Sequence, residues 1–149
     1  MTTEPSVTLV RRIKATPARV YAALTIPVQM TRWWRPDAGP VLSAEADVRV
    51  GGRFSVVFRT MDGAEHHSTG EYREVVPEER LVFTWRWASE PERESLVTIV
   101  LRPIGETTEL TLIHALLADD TERDSHREGW SGALNKLEVL CQSSPGSGG

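Results

Sequence analysis

Cysteine is nearly absent from this chain, since Cys141 is the only one among 149 residues. A single thiol cannot form an intramolecular disulfide, and no pair of cysteines has the spacing of a zinc site. The cysteine content therefore favours a reducing compartment, and we expect a cytoplasmic protein.

Long apolar runs are absent as well. The longest, Leu96–Leu101, is interrupted by Thr98 and is far shorter than the roughly 20 residues of a membrane-spanning helix. Residues 1–12 lack the apolar stretch of a signal peptide. We therefore expect a soluble, unexported protein that does not insert into membranes.

The chain also has no excess of positive charge, with 17 Lys and Arg against 21 Asp and Glu and a net charge of −4. Nucleic-acid binding needs basic residues concentrated on one face, so we expect no nucleic-acid partner. The length corresponds to one domain, which buries roughly 70% of the surface of its unfolded chain. A core and an enclosed cavity are therefore possible without metals or disulfides.

The beginning of the chain predicts a strand followed by two short helices. Apolar and polar residues alternate over 6–14, which is typical of a strand. Thr16 then has the position of an N-cap and Pro17 that of a first helical residue, which predicts a helix over 17–25. A second short helix is predicted over about 27–34.

A change to a period of two from Asp47 onward predicts a meander of four or five strands. Turns at 61–64 and 77–79 separate some of them. Where two strands follow each other through such short turns, they pair in an antiparallel sheet. The predicted strands are 53–59, 66–76, 81–87, 96–102 and 108–115.

Residues 119–142 predict one long helix, because apolar residues recur every three or four positions from Trp130 to Cys141. The tail 143–149 contains mainly Ser and Gly and is expected to be disordered, which leaves 1–142 as a single domain. An antiparallel sheet whose apolar face is covered by this helix is an α+β two-layer fold. A small molecule would bind between the two layers.

Five segments carry a resemblance to a known family. They are 15–24 (ATPARVYAAL), 31–34 (TRWW), 47–54 (DVRVGGRF), 70–81 (GEYREVVPEERL) and Gly129-Trp130. Through these segments the chain resembles, over about residues 7 to 141, the activator of heat-shock-protein-90 ATPase homologue (AHSA1-like) family. This family lies within the START-like, Bet v 1-like (SRPBCC) superfamily.

The resemblance implies the helix-grip fold of a START-like domain, in which a curved antiparallel sheet wraps around a long C-terminal helix, with two short helices after the first strand. It also implies a hydrophobic cavity between sheet and helix. Members of the superfamily bind lipids, sterols, polyketides or plant hormones, and some are cyclases or hydrolases. The namesake stimulates a chaperone ATPase, and we expect no counterpart of its N-terminal chaperone-binding domain here.

Aromatic residues are the first candidates for lining such a cavity, since they stack on planar ligands. The alternative for each of them is that it fills the core. Of the adjacent Trp33 and Trp34, we expect one to pack inward and the other to shield the cavity mouth. The candidate ligand-binding residues are Trp33, Phe54, Phe58, Phe83, Trp85, Leu112, His114, His126, Trp130 and Leu134.

His114 is the candidate polar residue, because it shares a strand face with Leu110 and Leu112 and should point toward the long helix. It would bind a ligand hydroxyl or carboxylate or act as a base, unless a backbone group or a Glu satisfies it. His126, one turn before Trp130, would face the same space. His114 is thus the one candidate for a catalytic residue.

Three further sets of residues bear on ligand, metal and phosphate binding. Arg53 would help to orient a ligand, whereas strand parity does not decide whether Glu71 points inward or outward. His66 and His67 are adjacent and should point to opposite strand faces, which opposes a metal site. The pair Gly51-Gly52 is interpreted as a tight turn or bulge and not a phosphate loop, because no helix and no Lys-Ser/Thr follow it.

The leading interpretation is the binding of a small hydrophobic or aromatic ligand, lipid- or polyketide-like, without a cofactor or metal. The second is a cyclase- or hydrolase-type enzyme in which His114, with Glu71 or His126, moves protons on such a ligand. The third is a chaperone or stress-response accessory protein with an exposed apolar patch around Met30 and the two tryptophans after it. A homodimer through a sheet edge is a further hypothesis.

Cys141, at the end of the last helix, is expected to be a core residue and not a nucleophile.

Overall fold

The computed structural model describes residues 5–35, 39–90 and 92–142. The elements are, in chain order, β1 (Val7–Ile13), α1 (Pro17–Thr25), α2 (Pro27–Met30), β2 (Val41–Ala46), β3 (Arg53–Arg59), β4 (Glu65–Val76), β5 (Arg80–Trp87), β6 (Ser95–Ile104), β7 (Thr107–Ala115) and α3 (Asp120–Gln142). None of the described helices is long and apolar enough to cross a membrane. The tail 143–149, for which we expect disorder, lies outside the described residues.

The strands form one antiparallel sheet in the order β1-β7-β6-β5-β4-β3-β2. From β2 to β7 each strand pairs with the next one in the chain, which confirms the predicted meander. Between β1 and β2, the chain passes from one sheet edge to the other through α1 and α2. With α3 packed on the inner face, this is the helix-grip fold.

The segment between α1 and β3 differs from its prediction in two places. The helix predicted over 27–34 ends at Met30, because the chain then tightens into turns, in which the Arg32 and Trp33 amides donate to carbonyl oxygens only three residues earlier, at 3.0 and 3.3 Å. The strand β2 is missing from the prediction. Its alternation is weak, and its pairing with β3 shifts register between Val41 and Ser43.

The first helix and the turn before β3 confirm their local predictions. Thr16 Oγ1 accepts a hydrogen bond of 3.2 Å from the Arg19 amide, which caps α1. Gly51 has a φ of +86°, which a residue with a side chain rarely adopts. A Cβ on Gly52 would overlap the carbonyl oxygen of Asp47. Both glycines therefore serve a tight turn.

Two arginines attach α3 to the rest of the domain. Arg11 on β1 donates to Glu138 at 2.8 Å and to Asn135 at 2.7 Å. Arg19 on α1 donates to the carbonyl oxygen of Leu140 at 3.1 Å. These contacts fix the helix over the inner face of the sheet. The residues that α3 buries there are Trp130, Ala133, Leu134, Leu137 and Cys141.

Candidate ligand-binding site

Aromatic side chains from the sheet and from α3 meet in the space between the two layers. Trp34, which follows α2, reaches into this space, and its ring centroid lies 5.9 Å from that of Trp130 on α3. On the sheet side, the Trp34 ring is parallel to Trp85, with 5.7 Å between centroids and 7° between planes. Phe54 and Phe83 lie at 5.4 and 6.3 Å from Trp34. A side chain of the protein thus covers the face of Trp85 on which a planar molecule would stack.

Trp33 and Trp34 are both buried, so the expectation that one of them shields a cavity mouth is wrong. Trp33 is fully buried, and Trp34 is 5% exposed. The tight turn after α2 directs both rings inward, which a continuous helix would not do because successive residues point about 100° apart. Met30 is also fully buried, so the predicted apolar surface patch around these three residues is wrong as well.

The two adjacent indoles differ in how they are held. Trp33 Nε1 donates a hydrogen bond of 2.7 Å to the carbonyl oxygen of Ala23, which anchors this ring to α1. Trp34 Nε1 is buried and has no hydrogen-bond partner among the described residues. A buried N–H in this state has lost its bonds to water without replacement. The Trp34 ring is therefore held by packing, without the anchor that fixes Trp33.

Two more polar groups on the inner face of the sheet are buried and unsatisfied. Ser68 Oγ on β4 and Trp85 Nε1 on β5 have no hydrogen-bond partner within residues 5–35, 39–90 and 92–142. Ser68 is fully buried, and Trp85 is 5% exposed. Ser68 pairs with Trp87 in the β4–β5 ladder, so Trp85 is its diagonal neighbour on the same face. We call Ser68 Oγ and Trp85 Nε1 the open groups.

His114, near the end of β7, belongs to a continuous chain of buried hydrogen bonds. Trp130 Nε1 donates to His114 Nδ1 at 2.9 Å. His114 Nε2 lies 2.7 Å from Ser95 Oγ, which donates in turn to the carbonyl oxygen of Trp85 at 3.2 Å. Because Nδ1 accepts, the network assigns the ring proton to Nε2, which donates to Ser95.

Burial keeps the His114 ring neutral. Desolvation, with a smaller contribution from His126, lowers the pKa of His114 to about 2. Its Nδ1 lone pair is already engaged by Trp130, so the ring has no free lone pair with which to remove a proton from a ligand. The geometry therefore opposes a general-base role for His114. Its partners are a serine and a tryptophan, and not the backbone group or Glu expected from the sequence.

His126 on α3 is brought next to His114. The two ring centroids are 4.4 Å apart, and His126 also stacks on Trp87, at 6.1 Å and 11° between planes. Burial lowers the pKa of His126, and the nearby Glu122 carboxylate opposes this shift. The imidazole borders a cavity of about 50 Å³, which has room for a few water molecules or one small polar group. Among the other residues lining this cavity are Trp85, Trp87, Ser95 and Glu122.

Arg53 and Glu71 lie on the outer face of the sheet, because side chains alternate along a strand and their neighbours Phe54 and Tyr72 are buried on the inner face. Arg53 is exposed, so the expectation that it orients a ligand between the layers is wrong. The Glu71 carboxylate lies 3.7 Å from the guanidinium of Arg73. This placement removes Glu71 from the proposed partners of His114.

The remaining candidates belong to the packed core. Leu112 is fully buried on β7, and Leu134 on α3 is 1% exposed. Phe58 lies farther along β3 than Phe54, and its ring stacks on His66 with 5.2 Å between centroids. For Leu112 and Leu134, these positions favour the alternative that they fill the core.

The histidine and cysteine side chains considered for metal binding and nucleophilic chemistry pack against, or bond to, other side chains of the protein. His66 faces inward against Phe58, whereas His67 Nε2 lies 2.7 Å from Ser55 Oγ on the exposed side, which confirms the predicted opposite orientations. Within the described part of the chain, no group of three or more His, Cys, Asp or Glu side chains is arranged to hold a metal ion. Cys141 is buried in the core as predicted, and burial raises its pKa to about 11, so it remains a thiol.

Sequence reasoning missed Ser68 and Ser95. The available signal was strand parity, since Ser68 precedes Tyr72 by four residues on β4 and Ser95 precedes Val97 by two on β6, and both neighbours are buried. A serine at an inward position among aromatic residues is either paired or left unsatisfied. Ser95 is paired with His114, whereas Ser68 carries one of the open groups.

Comparison with solved structures finds the same architecture in bacterial proteins. Protein CV1439 from Chromobacterium violaceum is 27% identical, with 94% of this chain and 99% of that chain covered and a TM-score of 0.83. The AHSA1 protein SPO3351 from Silicibacter pomeroyi is also 27% identical, with 91% and 96% covered and a TM-score of 0.78. CalU16 from Micromonospora echinospora is 25% identical, with 93% and 76% covered and a TM-score of 0.70.

A search of curated proteins found no significant match. The family model described as Activator of Hsp90 ATPase homolog 1-like protein matches residues 14–142, which is most of the chain. This match and the shared helix-grip architecture agree with the resemblance carried by the five sequence segments. The chain therefore belongs to the Activator of Hsp90 ATPase homolog 1-like family, whose START-like fold is often used to bind ligands.

Proposed function

We propose that this protein binds a small hydrophobic or aromatic ligand between the sheet and α3, in the position that the Trp34 ring occupies. The observation that carries the proposal is the contrast between the two adjacent tryptophans. Trp33 Nε1 is bonded to Ala23, whereas Trp34 Nε1 is buried without a partner among the described residues. A planar ligand that displaces Trp34 would take over its stacking on Trp85 and return the indole N–H to water.

The energetics of this exchange support reversible binding. Each aromatic ring pair contributes about 0.5–1.5 kcal/mol beyond the burial of apolar area. A ligand of similar shape restores the contacts that Trp34 makes with Trp85, Phe54 and Trp130. The net cost of displacing Trp34 is therefore reduced by the contacts the ligand makes, and by the hydrogen bonds that Trp34 Nε1 regains in water.

Binding of anilinonaphthalene sulfonate (ANS), a fluorescent apolar probe, tests the proposal. The Trp34→Leu variant removes the competing ring and should bind ANS at least about tenfold more tightly than the wild type, with one molecule per chain. Trp33→Leu is the matched control, since it removes an adjacent buried indole that does not stack on Trp85. Equal ANS affinity in the two variants, with both folded by circular dichroism, would contradict the proposal.

The natural ligand is sought by native mass spectrometry of the protein purified from its own host. A mass excess that disappears on denaturation would identify a bound molecule, and titration of that molecule should quench tryptophan fluorescence in the wild type. A lipid- or polyketide-like compound is the expected class.

We also propose a cytoplasmic location, which the single cysteine supports.

A second candidate function is cyclase- or hydrolase-type catalysis with His126 as the proton-transferring group. The observation that favours it is the position of His126 at the small cavity beside Glu122. Hydrolysis of nitrophenyl acetate by the wild type, and its loss in His126→Gln, would support this function; equal rates in both proteins would oppose it. A chaperone partner and a homodimer stay predictions.

A further inference from the structure

The two parts of α3 are packed very differently. From Trp130 to Cys141 the helix buries five side chains, and Arg11 and Arg19 attach this part to β1 and α1. In residues 120–128, by contrast, every side chain is at least partly exposed. Most of the stability of a helix in a protein comes from packing of its apolar face. Residues 120–128, which we call the N-terminal segment of α3, therefore gain much less from packing than the rest of the helix.

The ion pairs of the N-terminal segment hold it only weakly. Glu122 lies 3.8 Å from the guanidinium of Arg93, on the loop between β5 and β6, and both side chains are partly exposed. An exposed ion pair of this kind stabilises little. Arg123 forms its ion pairs, at 3.1 and 3.3 Å, with other side chains of the same segment. These last two pairs do not attach the segment to the sheet.

The His126 ring is the main contact between the N-terminal segment and the sheet. Its centroid lies 4.4 Å from that of His114 on β7. On β5, the Trp85 and Trp87 rings lie at 6.1 Å each, and the Trp87 ring is within 11° of parallel. One aromatic side chain thus fastens the segment to two strands.

Gly129 lies at the boundary between the two parts of α3. Glycine has the greatest backbone freedom and, after proline, the lowest helix propensity of all residues. Gly132 is a second glycine one turn later. The N-terminal segment is also too short to stay helical without packing, since isolated helices of fewer than about 12–15 residues are marginal in water. When the His126 contacts break, the segment should therefore unwind up to Gly129, while the helix from Trp130 onward stays packed.

We propose that the N-terminal segment of α3 is a lid that unwinds while the rest of the helix stays on the sheet, with the His126 ring as its latch. Unwinding removes His126 and Glu122 from the lining of the small cavity, which then opens to solvent. Trp85 lines the same cavity and is the ring on which Trp34 stacks. The open lid thus gives a ligand its way to the site. In this role the lid rests on the function proposed above, whereas the opening itself needs no ligand.

Residue-resolved hydrogen exchange of the intact wild-type protein, followed by NMR, tests the opening. The Arg123 amide bonds to the Asp119 carbonyl oxygen, and each later amide of a helix bonds four residues back, so unwinding of 120–128 frees the amides of 123–132 together. We expect one common protection factor for these amides, at least about a hundredfold lower than for 134–141. Protection that instead rises gradually from 123 to 141 is the signature of a fraying helix end and would overturn the proposal.

Two matched variants test the latch. His126→Gln removes the ring and keeps a polar side chain, so it should lower the protection of 123–132 about tenfold, the effect of losing the ring contacts, and leave 134–141 within about twofold. Arg127→Gln, at the exposed next position, should leave both parts within about twofold. If His126→Gln changes neither part, or lowers the protection of both parts equally, His126 is not a latch and the proposal is overturned.

The rate of ANS binding connects the lid with the proposed function. In the Trp34→Leu background, His126→Gln should raise the association rate constant for ANS about tenfold, because only molecules with an open lid admit the probe. An unchanged rate constant would overturn the lid as the way in. If Trp34→Leu binds no ANS at all, the proposed function fails, and hydrogen exchange still decides whether the lid opens.

Discussion

Replacing Ser95 by alanine tests the buried hydrogen-bond chain that links β6, β7 and α3. In the wild type, Ser95 Oγ lies 2.7 Å from His114 Nε2 and donates to the carbonyl oxygen of Trp85. Alanine removes both contacts and leaves the His114 N–H without its acceptor. His114 is fully buried, so bulk water cannot replace the lost partner without a structural change.

The chain contains a matched control for this substitution. Ser55 and His67 form a second Ser–His pair at the same distance of 2.7 Å, on the exposed side of the sheet. Leaving a buried polar group unsatisfied costs about 1–3 kcal/mol, whereas an exposed group recovers its bond from water. We therefore expect Ser95→Ala to lower the free energy of unfolding by about 2 kcal/mol, and Ser55→Ala by about 0.5 kcal/mol or less.

Urea unfolding followed by tryptophan fluorescence measures both effects. With a denaturant slope of about 1.5 kcal/mol per molar, 2 kcal/mol moves the midpoint by about 1.3 M. Equal shifts for the two variants would refute the reasoning, because burial would then not decide the cost. A midpoint unchanged in Ser95→Ala would show that water from the adjacent small cavity replaces the hydroxyl, and would equally contradict the expected loss.

Two further predictions concern pH and backbone packing. Burial lowers the pKa of His114 to about 2, so below about pH 6.5 the unfolded chain protonates this residue while the folded chain does not. The free energy of unfolding should therefore fall by about 2 kcal/mol between pH 6.5 and 5, as measured by urea unfolding at each pH. The decrease should be smaller in His114→Gln, which lacks the titrating group. A Cβ on Gly70 would overlap the Thr84 carbonyl oxygen and the Phe54 ring, so Gly70→Ala should lower the free energy of unfolding by about 2 kcal/mol or more. At Gly63 only the φ of +91° opposes a side chain, so Gly63→Ala should lower it by about 1 kcal/mol. Thermal unfolding of both variants measures the difference.

Most of the secondary structure follows from local patterns. The alternation in 53–59 and 108–115, the cap at Thr16 and the apolar period of α3 each depend on neighbours within a few residues, and each prediction is confirmed. The strand β2 was missed because half of its side chains are exposed and the others are only partly buried, and because its identity depends on pairing with β3. Strand pairing of this kind is a contact between distant residues, which a local pattern does not contain.

In the candidate site, too, the direction of each side chain follows from local patterns, whereas its hydrogen-bond partners do not. Parity along β7 and the period of α3 are enough to direct His114 and His126 toward a shared space, and the structure brings their rings within 4.4 Å. The same alternation along β3 also predicts that Arg53, next to the inward-facing Phe54, lies on the outer face, where the structure places it. What parity cannot show is whether an inward group finds a partner, because that depends on distances across several elements.

The amino-acid sequence by itself determined the class of fold, the family and the aromatic character of the interior, since these follow from short-range periodicity and from motifs of adjacent residues. Only the tertiary structure decided that Trp34 covers Trp85, that His114 is neutralised between Trp130 and Ser95, and that Ser68 is left open. These facts depend on atoms separated by tens of residues along the chain coming within a few ångströms. Burial and hydrogen bonding at that range, and not the identity of any one residue, set the chemistry of the site.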